Sequence, residues 1–128
     1  MKVIHLYTGD DGQSHFRDIE LKLTSDSPLG GGAFELLSSV QGMSFRDVPP
    51  GWTADYHTAP RRQFVLHLSG KGELTCGDGS SRIVGPGDIL LADDLTGQGH
   101  LSRDVESPRR QALIYVDPDL DLDALCAD

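Results

Sequence analysis

Cysteine is nearly absent from this chain of 128 residues: only Cys76 and Cys126 occur, fifty positions apart. There is no Cys-x-x-Cys, so neither a zinc clip nor a dithiol redox motif is indicated, and both read as reduced thiols of a cytosolic protein. Positive charge is also scarce. Eleven Lys and Arg stand against twenty Asp and Glu, giving a net charge of −9. Nothing offsets repulsion from phosphate, which argues against nucleic acid or an anionic membrane as a partner. No apolar run approaches the ~20 residues that a membrane helix needs. The first one, within MKVIHLYTGDDG, stops after Tyr7, shorter than the core of a signal peptide. The expectation is a soluble, cytoplasmic protein. Helical signals are few before the last dozen residues. No Ser-His-Asp order, nucleophile elbow or reactive-cysteine context is present.

Glycine and proline are plentiful, at 15 and 7 residues. They cut the chain into pieces of strand length. Strands are expected at Val3 to Tyr7, Asp18 to Leu23, Met43 to Val48, Thr53 to His57 and Gln63 to Leu68; Ala33 to Val40 fits a helical turn or a strand, and its context among strands favours a strand. Further strands are expected at Glu73 to Cys76, Ser81 to Val84, Asp88 to Ala92, His100 to Val105 and Ala112 to Val116. The run D-I-E-L-K-L at Asp18 to Leu23 has the period of two of a half-buried strand. Ser27 to Gly32 reads as a loop; its three glycines lack the Gly-Lys-Ser/Thr of a phosphate loop. Short strands at regular spacing indicate one antiparallel sandwich or barrel, an all-β domain spanning residues 1–128. Asp119 to Ala127 reads as a short C-terminal helix, with Leu120, Leu122 and Leu125 available for packing. The final twelve residues hold five Asp and no base, the pattern of a solvated acidic end.

The chemistry concentrates in GWTADYHTAPRRQFVLHLSG, Gly51 to Gly70, and in GPGDILLADDLTGQGH, which ends at His100. Residues two apart on a strand share a face. His57 therefore aligns with Thr53 and Asp55, and across the turn at Pro60 with Gln63, Val65 and His67. Phe64, Leu66 and Leu68 face the other way. A polar column inside a barrel is costly unless each group is paired or bound to something, and it is how a barrel makes a ligand site. The simpler reading of a lone strand histidine is a hydrogen-bonded core or surface residue, and His5 and His15 are assigned to it. Arg61-Arg62 is most simply a solvated hairpin tip; its functional reading is an anion clamp at a pocket mouth. Trp52 is either a rim residue of the core or a stacking wall for a planar ligand.

Gly51, His57, Ala59, Gln63 and Gly70 follow the spacing of the first cupin motif, and Pro86-Gly87-Asp88 with the later His100 resembles the second. The chain from Gly51 to about Asp104 thus resembles the cupin superfamily. The resemblance implies a double-stranded β-helix, a jelly-roll β-barrel, with a metal held by three His and one Glu. Two of these four positions differ here: Ala59 stands for a His and Gln63 for the Glu. Asp93-Asp94-Leu95 stands around the second motif's usual Pro and Gly. The remaining metal set is His57, Gln63 and His100, with His67 or Asp94 as further candidates. It would hold a divalent ion (zinc, manganese, nickel or iron) weakly, and no organic cofactor is expected.

The functional expectation is acid–base or weakly metal-assisted chemistry on a small anionic or carbonyl-bearing metabolite, of isomerase, dehydratase, cyclase or epimerase type. His57 and His100 are the catalytic candidates. Trp52, Arg61, Gln63, His67 and Asp94 are the substrate-binding ones. A non-catalytic, metal-free binding module and a metal-dependent dioxygenase are the alternatives. A two-fold homodimer is expected, because a free N-terminal strand leaves edge hydrogen bonds unpaired and Val3 to Tyr7 and Ile19 to Leu23 offer apolar strands to a partner.

Overall fold

In a computed structural model the chain is described at residues 1–23, 25–26, 28–36 and 38–127. It is almost entirely β. In order come β1 (Lys2–Thr8), β2 (Ser14–Glu20), β3 (Ser25–Asp26), β4 (Gly32–Ala33), β5 (Val40–Val48) and β6 (Thr53–His57). They are followed by β7 (Gln63–Cys76), β8 (Ser81–Val84), β9 (Ile89–Asp93), β10 (His100–Val116) and one helical turn, α1 (Leu122–Leu125). Eight strands form one mixed sheet with the path β2-β1-β9-β7-β10-β5; β6 joins β10 and β8 joins β7. All pairs in it are antiparallel except β1 with β9.

Two long strands organise the sheet. Four expected strands are in fact two: Gln63–Leu68 and Glu73–Cys76 are halves of β7, and His100–Val105 and Ala112–Val116 are halves of β10. Ser69 to Gly72 bends the strand without ending its ladder, with register shifts in β10 between Asp104 and Gln111. The first half of β7 pairs with β9 and the second with β8; one half of β10 pairs with β6 and the other with β5. Each long strand therefore contributes to two faces of a curled sheet.

The sheet buries apolar side chains on both sides. Leu6, Val65, Leu74, Val84 and Leu90 form one core. Val3, Ile19, Leu21, Phe64 and Leu91 form another, covered by Phe34, Leu36 and the C-terminal Leu120, Leu122 and Leu125. The expected alternation of Val65 against Phe64 and Leu66 thus separates two cores.

Several expectations need correction. The second strand begins at Ser14 and ends at Glu20. Lys2 is the last partner on β1, so the ladder stops there; Ile19 and Leu21 are buried but Leu23 is 55% exposed. β1 is not an edge, since β2 and β9 flank it, and Ile19 and Leu21 fill this chain's own core. Between Ala33 and Val40 only the ends belong to strands; Phe34 and Leu36 cap the second core, and Leu37 lies outside the described residues. The C-terminal helix is one turn. Asp121 caps it by accepting from Ala124 N, and Cys126 then bridges to Leu21 while Ala127 N donates to Glu20 O, drawing the chain back into strand pairing. The expected loop residue Ser27 and the terminal Asp128 also lie outside the described residues.

Both cysteines are free thiols, and burial pushes the Cys76 thiol up to about 11, which leaves it an inert core residue. No helix among the described residues is long and apolar enough to cross a membrane.

Candidate functional site

The curled sheet encloses a cavity of about 480 Å³, within the range of small-molecule sites. Six of the seven candidate side chains line it: Trp52, His57, Arg61, Gln63, His67 and His100. The seventh, Asp94, is fully buried and outside the lining. It sits behind His100, with Oδ2 2.6 Å from His100 Nδ1 and accepting from Ser14 Oγ at 2.8 Å. Asp94 therefore positions a histidine rather than touching a ligand. Its other oxygen, Oδ1, has no hydrogen-bond partner.

β6 brings His57 beside His100 through an irregularity that parity could not foresee. His100 pairs with His57 but Ser102 pairs with Ala54, so three steps on β6 oppose two on β10. Such a bulge turns over the facing of side chains. Thr53 and Asp55 consequently point to solvent and do not share the face of His57. Gly99 makes the approach feasible. Its φ is 76°, and a Cβ there would collide with His57 O. The two imidazole centroids lie 4.6 Å apart.

Three histidines are held alike. His57 Nδ1 is 2.8 Å from Asp55 O, His67 Nδ1 is 3.2 Å from Asp88 O, and His100 Nδ1 faces the Asp94 carboxylate. A carbonyl only accepts, so Nδ1 of His57 and His67 carries the proton, and Nε2 is the nitrogen left for a ligand. The Pro86-Gly87-Asp88 turn supplies the anchor of His67, since His67 N also donates to Asp88 O and Gly87 N to His67 O. Burial pushes the His67 imidazole below its ordinary pKa, with Arg109 adding to the effect against the Asp88 carbonyl.

The charge in the cavity is one-sided. Arg46, Arg61 and Arg109 line it and, among the described residues, no Asp or Glu does, in a chain whose net charge is −9. Arg46 lies 4.7 Å over the Trp52 ring and Arg61 4.1 Å over Tyr115. Arg62 turns away. It is 8% exposed, lies 3.0 Å from Asp93 Oδ1 and donates to Leu120 O, tying down the C-terminal segment. The expected solvated Arg61-Arg62 tip is thus divided between a cavity mouth and a buried tie.

Arg46, Arg109, Ser102 and Gln111 also line the cavity, and no sequence motif marks them. Gln111 pairs across β10 with His67 on one side and Arg46 on the other, so the three form one polar row. Parity on Ala112 to Val116, extended back through Gln111 to Arg109, was the available signal. The remaining histidines lie elsewhere. His5 is buried, accepts from Arg17 Nε at Nδ1 and reaches Asp93 through Nε2. His15 bonds Asp11 and Asp78, and the Asp11 bond raises its pKa.

A divalent cation in this cavity would meet the imidazoles of His57, His67 and His100, the neutral amide of Gln63, and three guanidiniums. Among the described residues no three His, Cys, Asp or Glu side chains gather as a metal cage. This donor set fits a resident divalent ion poorly. In comparisons with known proteins, no family model matches the chain and no curated protein matches it.

Proposed function

We propose that the chain is a small cupin-type jelly-roll protein whose cavity performs acid–base chemistry on a small carbonyl-bearing metabolite. The observation that carries this reading is the buried Asp94 carboxylate holding His100 by Nδ1, with the His57 ring 4.6 Å away, centre to centre. A buried carboxylate–imidazole pair fixes ring orientation, which is what a proton-transfer group requires. One imidazole Nε2 removes a proton from the carbon beside the carbonyl, and the electron pair of that bond moves onto the oxygen as an enolate. The Gln63 amide N–H is suited to stabilise that oxygen. The other imidazole enters as the imidazolium and gives its Nε2 proton to the opposite face of the same carbon, or to the neighbouring carbon when a hydroxyl on the first carbon passes its proton to the carbonyl oxygen. The two rings exchange protonation states, so an epimerisation or isomerisation balances without redox chemistry.

The test is hydrogen exchange. A panel of small 2-oxo and 2-hydroxy carbonyl compounds is incubated with protein in D2O and followed by proton NMR. Exchange at the carbon beside the carbonyl is expected for the wild type, with a loss of about a hundredfold in His100→Gln. If no compound exchanges above background, the cavity is a passive binding site.

Metal binding offers a second expected outcome. Gln63→Glu puts an anionic oxygen in the cavity with His57 and His100. It should tighten zinc, manganese, nickel or iron(II) binding by about tenfold or more, from the added unit charge at an effective dielectric near ~20. Calorimetry on both forms measures this. Equal affinity, or none in either form, removes Gln63 from any shared site with the two histidines.

The proposed assembly is a homodimer through β5 rather than β1. β5 ends the strand path, and its outward face carries Met43 and Phe45, 54% and 70% exposed, beside Leu68. Edge strands with apolar faces invite pairing with a second copy. Light scattering at micromolar concentration should give a dimer mass, and Phe45→Asp a monomer. A wild-type monomer contradicts the dimer.

A further inference from the structure

The Arg46–Arg109 end of the cavity is a built site for an oxyanion, and we infer that the ligand carries a carboxylate or phosphate group seated there, with its reacting carbon toward His100 and His57. This inference rests on the acid–base reading and names its substrate class.

Arg109 is 4% exposed, yet its Nε and Nη1 have no hydrogen-bond partner among the described residues. The nearest carboxylate oxygen, Asp104 Oδ1, is 3.9 Å from Nη1, beyond hydrogen-bond range. Asp104 is engaged elsewhere through Oδ2, which accepts from Ser107 Oγ at 2.7 Å and Gly51 N at 2.8 Å. A second cation lines the same cavity: Arg46, which repels the Arg109 charge. Leaving guanidinium donors buried and unpaired is unfavourable, and two like charges make it more so. An oxyanion relieves both, because the guanidinium fork matches carboxylate and phosphate oxygens in pairs.

The neighbours fit the same occupant. His67 is kept on the neutral side by burial and so is no competing cation. Gln111, between Arg46 and His67 in the polar row, can donate from its amide. Gly72 is where a side chain would block the arrangement, because a Cβ there would overlap the Arg109 guanidinium.

Calorimetry on the full chain with inorganic phosphate and with succinate, in a low-salt buffer of weakly binding ions, tests the site. One saturable site that weakens as salt rises is expected for at least one probe. Arg109→Gln and Arg46→Gln should each weaken it tenfold or more. If Arg109→Gln fails to fold by circular dichroism, Arg46→Gln, at a half-buried position, and Gly72→Ala, which crowds the guanidinium, decide the matter. A preference for phosphate assigns a phosphorylated ligand and a preference for succinate a carboxylate; either supports the site. No saturable binding of either probe, or binding unchanged in the folded variants, overturns it. Binding is read without turnover. An absence of hydrogen exchange therefore leaves the oxyanion site standing, and an absence of oxyanion binding leaves acid–base chemistry on a neutral carbonyl compound standing.

Discussion

Asp94→Asn is expected to lower proton-transfer activity by about a hundredfold or more while the protein stays folded, and Asp94→Ala to lower the unfolding free energy by about 3 kcal/mol. Asp94 Oδ2 accepts from Ser14 Oγ and faces His100 Nδ1, all three groups being largely or wholly buried. Asn preserves the volume and one accepting oxygen but not the charge, and its amide group can force His100 to the other tautomer. Nε2 would then carry the proton and cease to be a base. Ala removes the acceptor altogether and strands two buried donors, each at a cost of about 1–3 kcal/mol, partly offset by removing the unpaired Oδ1. Denaturant unfolding measures the second effect. The imidazole nitrogen shifts of His100 report the first, and a purely structural role for Asp94 would leave the tautomer as it is. Unchanged activity and tautomer in Asp94→Asn would show that the carboxylate does not orient the base.

Arg109→Met should have the opposite sign on stability. A residue kept for binding is commonly held at some cost to the fold. Burial pushes the Arg109 pKa below its ordinary value, Asp104 opposes this, Arg46 adds a smaller repulsion, and Nε and Nη1 are unpaired. Met keeps the stem length and apolar packing and adapts to irregular space. Asp104 keeps Ser107 Oγ and Gly51 N on Oδ2, while its buried Oδ1 loses the Arg109 charge 3.9 Å away, which offsets part of the gain. The expected gain is about 1–3 kcal/mol, or roughly 4 °C in Tm per kcal/mol for a chain of this size. The same variant should lose oxyanion binding. A fall in Tm of several degrees would instead identify Arg109 with Asp104 as a structural ion pair.

Much of the architecture is legible in residues that act locally. Turns such as Gly77-Asp78-Gly79 and Gly85-Pro86-Gly87 end or begin strands where steric rules say they must, and β6 and β8 have the expected bounds. What needs tertiary information is different in kind. Ser69 to Gly72 looks like a turn, but a strand can bend there and keep its partners. The bulge that brings His57 to His100 depends on pairing with β10, which parity on one strand cannot report. β5 shows why Arg46 stayed hidden. Ordinary alternation would turn Met43 and Phe45 inward, but here the inner face lines a polar cavity, so Ser44 and Arg46 take the inner parity and the apolar residues face out. Arg109 follows Ser107-Pro108, which reads as a turn, although β10 runs through it. Asp94 is recognisable as a carboxylate close to the second motif, yet its position behind His100 depends on Ser14, eighty residues away, to complete the buried contact.

The proposed function requires His57 and His100 to work as a proton-transfer pair, each anchored through Nδ1. The most direct measurement is nitrogen-15 NMR of the imidazole rings, which reads the tautomer of each histidine. The structure predicts Nδ1–H tautomers for His57, His67 and His100. It further predicts that the His57 ring signals shift when His100 is replaced by Gln, since the two ring centroids lie 4.6 Å apart. His57 signals unchanged in His100→Gln, or an Nε2–H tautomer at His100, would contradict the proposed pair.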